Sequence, residues 1–275
     1  MSVEQPPLIL VSNDDGIDSP GLQALVEAVQ PLGEVLVVAP KSPYSSAGRS
    51  LIWGSRTIEP RHWPLPGVTA YAVDGAPALT VRVGLSVLAS RPPALVLSGI
   101  NYGENLGTDV TGSGTVGAAM EAAIEGILGV AFSLEAPPEY HDSPRPGLDF
   151  GPTAAFARRL VSSLLQGGLP AEIDLLNVNV PASAGPTTPW RVTRLSRQMY
   201  WQAVIRQGPD GTKMIAGYER RIDWATLEPD SDIYAFVREG AISISPMTMD
   251  LSAPSAMAHL QPFLEARLAN HVLRG

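Results

Sequence analysis

Residues 8–16 read Leu-Ile-Leu-Val-Ser-Asn-Asp-Asp-Gly, an apolar run that ends in two adjacent aspartates, Asp14 and Asp15. A short apolar run without alternation is typical of a parallel strand that is buried on both faces. Pro20-Gly21 then opens a segment with apolar residues at helical spacing, so the acidic pair is predicted to lie in a strand-to-helix turn. Two carboxylates held side by side repel each other, and a divalent cation between them is the simplest compensation.

Two further apolar runs also lead to oxygen-bearing side chains. Residues 35–38 run into a loop that contains Ser45, and residues 95–97 run into Ser98-Gly99-Ile100-Asn101. Ligands of open α/β sheets bind beyond the carboxyl ends of the strands, where the strand order reverses. We therefore predict that the acidic pair, Ser45 and Asn101 converge and offer the oxygen ligands that Mg²⁺, Mn²⁺ and Ca²⁺ prefer.

Each of these residues also has a plainer interpretation. An acidic doublet next to glycine is common in solvated turns. Ser45 is one of several hydroxyls in a proline-rich loop, and Ser46 is an equal candidate. Asn101 could simply bond to the backbone of its own loop.

A second candidate half-site is the segment 112–115, Gly-Ser-Gly-Thr, which precedes apolar residues at helical spacing. Glycines at a helix start expose backbone N–H groups, and the hydroxyls of Ser113 and Thr115 can donate, so the segment suits a phosphate. Ordinary helix capping is the alternative explanation. Farther along this helix, Glu121 and Glu125 could face the site, but we favour a solvated helix face for both.

The composition bounds the class of protein. A chain of 275 residues with 45% hydrophobic and 17% charged residues is long enough for one large globular domain, possibly with an appendage. The net charge of −8 argues against a binder of duplex nucleic acid, and the absence of cysteine excludes thiol chemistry. No run approaches the roughly 18 apolar residues of a membrane span, so we expect a cytoplasmic protein. The scattered histidines are predicted to be surface residues: His62, His141, His259 and His271.

Strand-like and helix-like segments alternate along the first 135 residues, which predicts a parallel sheet covered by helices. We divide the chain into a core at 1–189, a protruding hairpin region at 190–240, and a returning strand with a C-terminal helix at 241–275. The hairpin strands, near 199–205 and 213–218, carry many apolar side chains, which pack either on a partner subunit or on the chain's own core.

The order of these motifs resembles the SurE (survival protein E) family over nearly the whole chain. The matching segments are Ser12-Asn13-Asp14-Asp15-Gly16, Ser98-Gly99-Ile100-Asn101, Asn105-Leu106-Gly107, Ser113-Gly114-Thr115-Val116, Ile242-Ser243-Ile244-Ser245-Pro246 and Asp250-Leu251-Ser252. The resemblance implies a Rossmann-like three-layer core, with a hairpin and a C-terminal helix that build homodimers or homotetramers. It also implies a divalent-metal-dependent 5'/3'-nucleotidase.

By this resemblance, Asp14 and Asp15 are catalytic metal ligands, and Ser45 and Asn101 complete a site for one Mg²⁺ or Mn²⁺ per subunit. Asn105 and the segment Ser113-Gly114-Thr115 are the implied substrate contacts. The leading hypothesis is hydrolysis of a nucleoside monophosphate by a metal-bound water; attack by an aspartate is the alternative within this class. A metal-stabilised nucleotide- or anion-binding protein without turnover is the alternative from another class.

The chain departs from the family pattern in two places. The loop at 41–48 lacks the arginine and the Ser-Gly pair often seen around the serine ligand, and 75–79 lacks a threonine and an acidic residue. These departures bear on the choice between Ser45 and Ser46 and on substrate preference.

Overall fold

A mostly parallel nine-stranded sheet forms the centre of the protein in a computed structural model, which describes residues 5–141 and 147–272. The strands are β1 (Leu8–Ser12), β2 (Glu34–Pro40), β3 (Ile58–Arg61), β4 (Thr69–Val73), β5 (Leu95–Tyr102), β6 (Gly129–Leu134), β7 (Leu175–Val180), β8 (Trp190–Val192), β9 (Trp201–Gln207), β10 (Lys213–Arg220) and β11 (Ile242–Met247). The helices are α1 (Pro20–Val29), α2 (Pro77–Val83), α3 (Gly114–Ile124), α4 (Gly151–Gly167) and α5 (Pro254–Val272).

The strand order across the main sheet is β3-β4-β2-β1-β5-β6-β7-β11-β8. From β1 the chain moves outward on one side through β2 and β4, and it then returns to the other side of β1 with β5. The order therefore reverses between β1 and β5. A ligand crevice is expected beyond the carboxyl ends of these two strands.

Helices cover both faces of this sheet. On one face, α1 and α4 pack in a single core cluster with inward side chains of the strands, and on the other face α2 and α3 do so. The sequence explains α1 well: Ser19 caps it, Pro20 is its first residue, and its buried residues recur at helical spacing. Full burial of each large apolar side chain contributes roughly 1.5–3 kcal/mol. The predicted three-layer α/β fold is confirmed.

The predicted hairpin is also present, as the antiparallel pair β9 and β10 in a separate sheet. All eight residues of β10 are exposed, whereas Tyr200, just before β9, is fully buried. Tyr200 packs with Leu106, Ile233 and Phe236 in a small cluster of their own. The base of the hairpin therefore packs on its own chain, and the strands project from it.

The C-terminal part returns to the sheet and leaves it again. Strand β11 returns to the main sheet, as the sequence predicts, and lies between β7 and β8, which is one of the two edge strands. Helix α5 contains Pro262 in its interior, and its large apolar side chains are exposed. The division at residues 189 and 240 stays a prediction. Within the described ranges, no helix is long and apolar enough to cross a membrane.

Candidate active site

A cavity of about 540 Å³ opens where the strand order reverses, beyond β1 and β5. Its wall contains five of the predicted site residues, which come from four separate segments of the chain: Asp14, Ser45, Asn101, Asn105 and Ser113. The other three predicted residues, Asp15, Gly114 and Thr115, adjoin these in sequence but do not line the cavity. The structure thus brings together segments that lie up to about 100 residues apart.

Asp14 lies against the first turn of α3. The hydroxyl of Thr115 donates to Asp14 Oδ1 at 2.6 Å, and the Thr115 backbone N–H also bonds to this carboxylate. A Cβ atom on Gly114 would lie 2.8 Å from Asp14 Oδ2, so only glycine allows the carboxylate this close to the helix. The Thr115 hydroxyl, which the sequence suggests as a phosphate donor, is therefore used to hold Asp14.

Among the described residues, no basic side chain forms an ion pair with either Asp14 or Asp15. Burial raises the pKa of Asp14 to about 6, against the opposing effect of the Thr115 hydrogen bonds. Burial, and next the charge of Asp14, raise the pKa of Asp15 well above its usual value. Asp15 Oδ2 is buried and has no hydrogen-bond partner among the described residues. A bound cation would supply both the missing charge and the missing partner.

Ser45 and Asn101 supply neutral oxygen atoms to the same cavity. The Asn101 side chain donates its Nδ2 to Gly103 O at 2.7 Å, which leaves Oδ1 as its atom for a ligand. This bond is also the one expected from the plainer interpretation of Asn101. Within residues 5–141 and 147–272, no group of three or more histidines and acidic residues could hold a metal ion. A cation here therefore depends on the hydroxyl and amide oxygens.

The loop that carries Ser45 is fixed to the rest of the site through its backbone. Its Tyr44 N–H donates to Asp14 O at 2.8 Å, and its Gly48 N–H donates to Gly112 O at 2.9 Å. Ser46 lines the cavity as well, with a positive φ of 56°. Both serines thus remain candidates for the hydroxyl ligand.

Asn105 is held by polar residues that the sequence analysis missed. Its N–H donates to Asn179 Oδ1, its carbonyl oxygen accepts from Asn177 and Asn179, and its Nδ2 donates to Ser133 Oγ. The three partners are fully buried on β6 and β7. Amides inside an otherwise apolar strand are the sequence signal that marks Asn177 and Asn179.

The prediction for Glu121 is wrong, and His141 has a more specific position than the sequence predicts. Glu121 is fully buried rather than solvated, because Arg49 Nη1 pairs with it at 2.8 Å and Arg82 pairs with its other oxygen. His141 is partly exposed and lines the cavity, and its ring nitrogens bond to Tyr218 Oη and Ala136 O. The hairpin also contributes Trp201 and Tyr218 to the cavity wall, which the sequence does not predict.

Comparisons with known proteins identify relatives of this chain. The family model described as "Survival protein SurE" matches residues 9–202. The protein named 5'-nucleotidase SurE from Methanocella arvoryzae is 41% identical over 257 residues, which cover 89% of this chain and 93% of that protein. The protein of the same name from Thermococcus kodakarensis is 40% identical over 249 residues, with the same coverage of 89% and 93%.

A solved structure extends the likeness to the fold. The crystal structure of the SurE protein from Aquifex aeolicus superposes with a TM-score of 0.77 at 34% identity, over 94% of this chain and 100% of that chain. The family model and the curated relatives both span most of the sequence. The chain therefore belongs to the SurE family.

Proposed function

We propose that this protein is a phosphatase that hydrolyses nucleoside 5'-monophosphates, and also 3'-monophosphates, to nucleoside and phosphate. The observation that carries the proposal is the cavity at the strand switch, whose wall combines Asp14, Ser45, Asn101 and Ser113. The name 5'-nucleotidase SurE, borne by relatives that are about 40% identical over most of the chain, supports this activity.

The donor set fits one divalent cation, Mg²⁺ or Mn²⁺, held by Asp14, Asp15, Ser45 and Asn101. The unpartnered oxygen of Asp15 and the raised pKa of both carboxylates favour a cation between them. All the ligands would be oxygen atoms, which these hard cations prefer. When bound, such a cation neutralises charge on phosphoryl oxygens and lowers the pKa of a coordinated water.

The residues of the chain orient the substrate and the carboxylates. Ser113 Oγ accepts from Val116 N–H at 3.2 Å, so its own proton is available for a phosphoryl oxygen. The start of α3 adds the positive end of the helix dipole. Thr115 fixes Asp14, and Asn105 is held rigidly by its buried partners. Such local positive potential is how a protein with a net charge of −8 would bind an anion.

The test is release of phosphate from adenosine and guanosine monophosphates, with 5' and 3' isomers, in Mn²⁺, in Mg²⁺ and with chelator. We expect turnover only with metal, and we expect Asp14→Asn to lower it by roughly 10³-fold because it removes a charged ligand. Asp18→Asn is the matched control, since Asp18 follows in the same turn with a side chain 84% exposed.

Full activity of Asp14→Asn would reject the assignment of this residue. Equal turnover with chelator would reject the cation. Tight binding of nucleotide without turnover would favour the alternative of an anion-binding protein.

We also propose that the protein assembles as a homodimer or homotetramer through the hairpin and α5. Both elements expose large apolar side chains, at fractions of 42% to 76%: Ile205, Met214, Ile215, Met257, Leu260, Phe263, Leu264 and Leu268. Exposed apolar surface of this extent is typical of an interface between subunits.

A further inference from the structure

We propose that Glu104 recognises a hydroxyl group of the nucleotide's sugar and so makes the enzyme selective for ribonucleosides. This inference rests on the proposed function, because it assigns a part of the same cavity to a part of the proposed substrate.

The first observation is a buried carboxylate with a missing partner. Glu104 lines the cavity but is only 4% exposed. Its Oε1 accepts from the Tyr200 hydroxyl at 2.7 Å, whereas its Oε2 is buried and has no hydrogen-bond partner among the described residues. A buried carboxylate oxygen without a partner is unfavourable, and because Glu104 forms part of the cavity wall, a ligand that enters the cavity would be the source of the missing donor.

The second observation is that the carboxylate is oriented before any ligand binds. Tyr200 is fully buried, and its hydroxyl accepts from Arg220 Nη1 at 3.0 Å while it donates to Glu104. Arg220 also lies over the Tyr200 ring and pairs with Glu135. This chain of contacts from the hairpin base fixes which oxygen of Glu104 is used by the protein. It leaves the other oxygen for a donor from the ligand.

Asp109 is another carboxylate of the cavity wall, and one of its oxygens holds the hairpin. Asp109 Oδ2 accepts from the backbone N–H groups of both Tyr200 and Trp201, at 3.1 and 2.7 Å. Asp109 thus joins the hairpin to the core. Glu104 differs because its Oε2 is buried without a hydrogen-bond partner among the described residues.

The position of Glu104 selects the sugar as the partner. Glu104 is the neighbour in sequence of Asn105, which the family resemblance implies as a substrate contact, and both line the cavity. A phosphate offers only acceptors, which a carboxylate repels, whereas the adjoining ribose offers hydroxyl donors. Trp201 and Tyr218 of the same wall provide aromatic surface that suits a nucleobase beyond the sugar.

The test measures equilibrium binding of adenosine, 2'-deoxyadenosine and 3'-deoxyadenosine by calorimetry, without metal, to wild type and Glu104→Gln. Glutamine keeps an acceptor for Tyr200 but turns the other position into a donor. We expect wild type to prefer adenosine to at least one deoxy analogue by about tenfold or more, the size of a hydrogen bond to a charged group. We expect Glu104→Gln to lose this preference. Glu125→Gln, at an exposed glutamate, is the matched control and should keep it.

Equal affinity of the wild type for the three nucleosides, or no binding of any, would overturn the inference. An unchanged preference in Glu104→Gln would also overturn it. Because the measurement involves neither metal nor phosphate release, its failure is distinguishable from failure of the proposed phosphatase activity. If the protein prefers adenosine to a deoxy analogue but releases no phosphate, the role of Glu104 is supported and only the proposed phosphatase activity is rejected.

Discussion

Two strands of this protein have opposite surroundings. Every residue of β1 is buried in the centre of the main sheet, whereas every residue of β10 is exposed on the projecting hairpin. β10 carries the charged residues Lys213, Glu219 and Arg220, but its Met214 and Ile215 are as apolar as residues of the core and are exposed all the same. Strand β1 lies between two layers of helices of the same chain, whereas β10 projects away from them.

The two regions meet at the cavity, and they contribute different kinds of residues. The core supplies Asp14 and Asn101, whose positions depend on close backbone packing around β1 and β5. The hairpin supplies Trp201 and Tyr218, whose position depends on the small cluster at the hairpin base. Changes in the core should therefore affect folding and the site together. Changes in the exposed elements should affect assembly with little effect on folding.

The largest expected effect is at Gly21, in the first turn of α1. A Cβ atom there would lie 2.1 Å from Ile100 O, so Gly21→Ala must push α1 away from the strand that carries Asn101. We expect a loss of about 3 kcal/mol or more in the free energy of unfolding, measured by urea denaturation. Gly167→Ala is the control, because no atom lies within 4 Å of its added Cβ and alanine favours the helix. Equal stability of the two variants would contradict this account of the core.

An intermediate effect is expected at Glu121, which lies inside the core but contacts the loop of the proposed site. Glu121→Gln leaves Arg49 and Arg82 without their shared carboxylate. Because both arginine side chains are about one-third exposed, we expect a loss of only about 1–3 kcal/mol. Glu125→Gln, one turn farther along α3, should change stability by less than about 0.5 kcal/mol. Similar values for both variants would mean that Glu121 is solvated.

Local signals explain which features the sequence predicts. Strand β1, the turn at Asp14 and the Ser113 cap are each encoded by a few consecutive residues, and the structure contains all of them. The burial of Glu121 is not local, because Arg49 and Arg82 lie 72 and 39 residues away along the chain. A glutamate on a helix carries no mark of such distant partners.

The same limit applies to the helix start at residue 114. Its glycines and hydroxyls predict a position for an anion, but they do not distinguish an external phosphate from a carboxylate of the same chain. In the structure the Thr115 hydroxyl and N–H bond to Asp14. The contribution of the hairpin to the cavity is likewise set by tertiary packing, since Trp201 is about 100 residues from Asn101.

The smallest effect on folding is expected in α5. The double substitution Leu260→Asn and Phe263→Asn changes side chains that are 53% and 51% exposed. The free energy of unfolding of the subunit should therefore change by less than about 0.5 kcal/mol. The mass measured by light scattering should fall from that of the proposed oligomer toward that of one subunit. Gln261→Asn is the control on the same helix, and it should leave both quantities unchanged.

The double substitution distinguishes two explanations for the exposed apolar side chains of α5. If α5 covers a partner subunit, a few large apolar side chains supply most of the association energy, and their loss dissociates the assembly. If α5 has no partner, the double substitution leaves the mass unchanged and only removes apolar surface from water. A fall in subunit stability of several kcal/mol would instead mean that α5 packs on its own core. In that case the difference between β1 and β10 would not extend to the C-terminal helix.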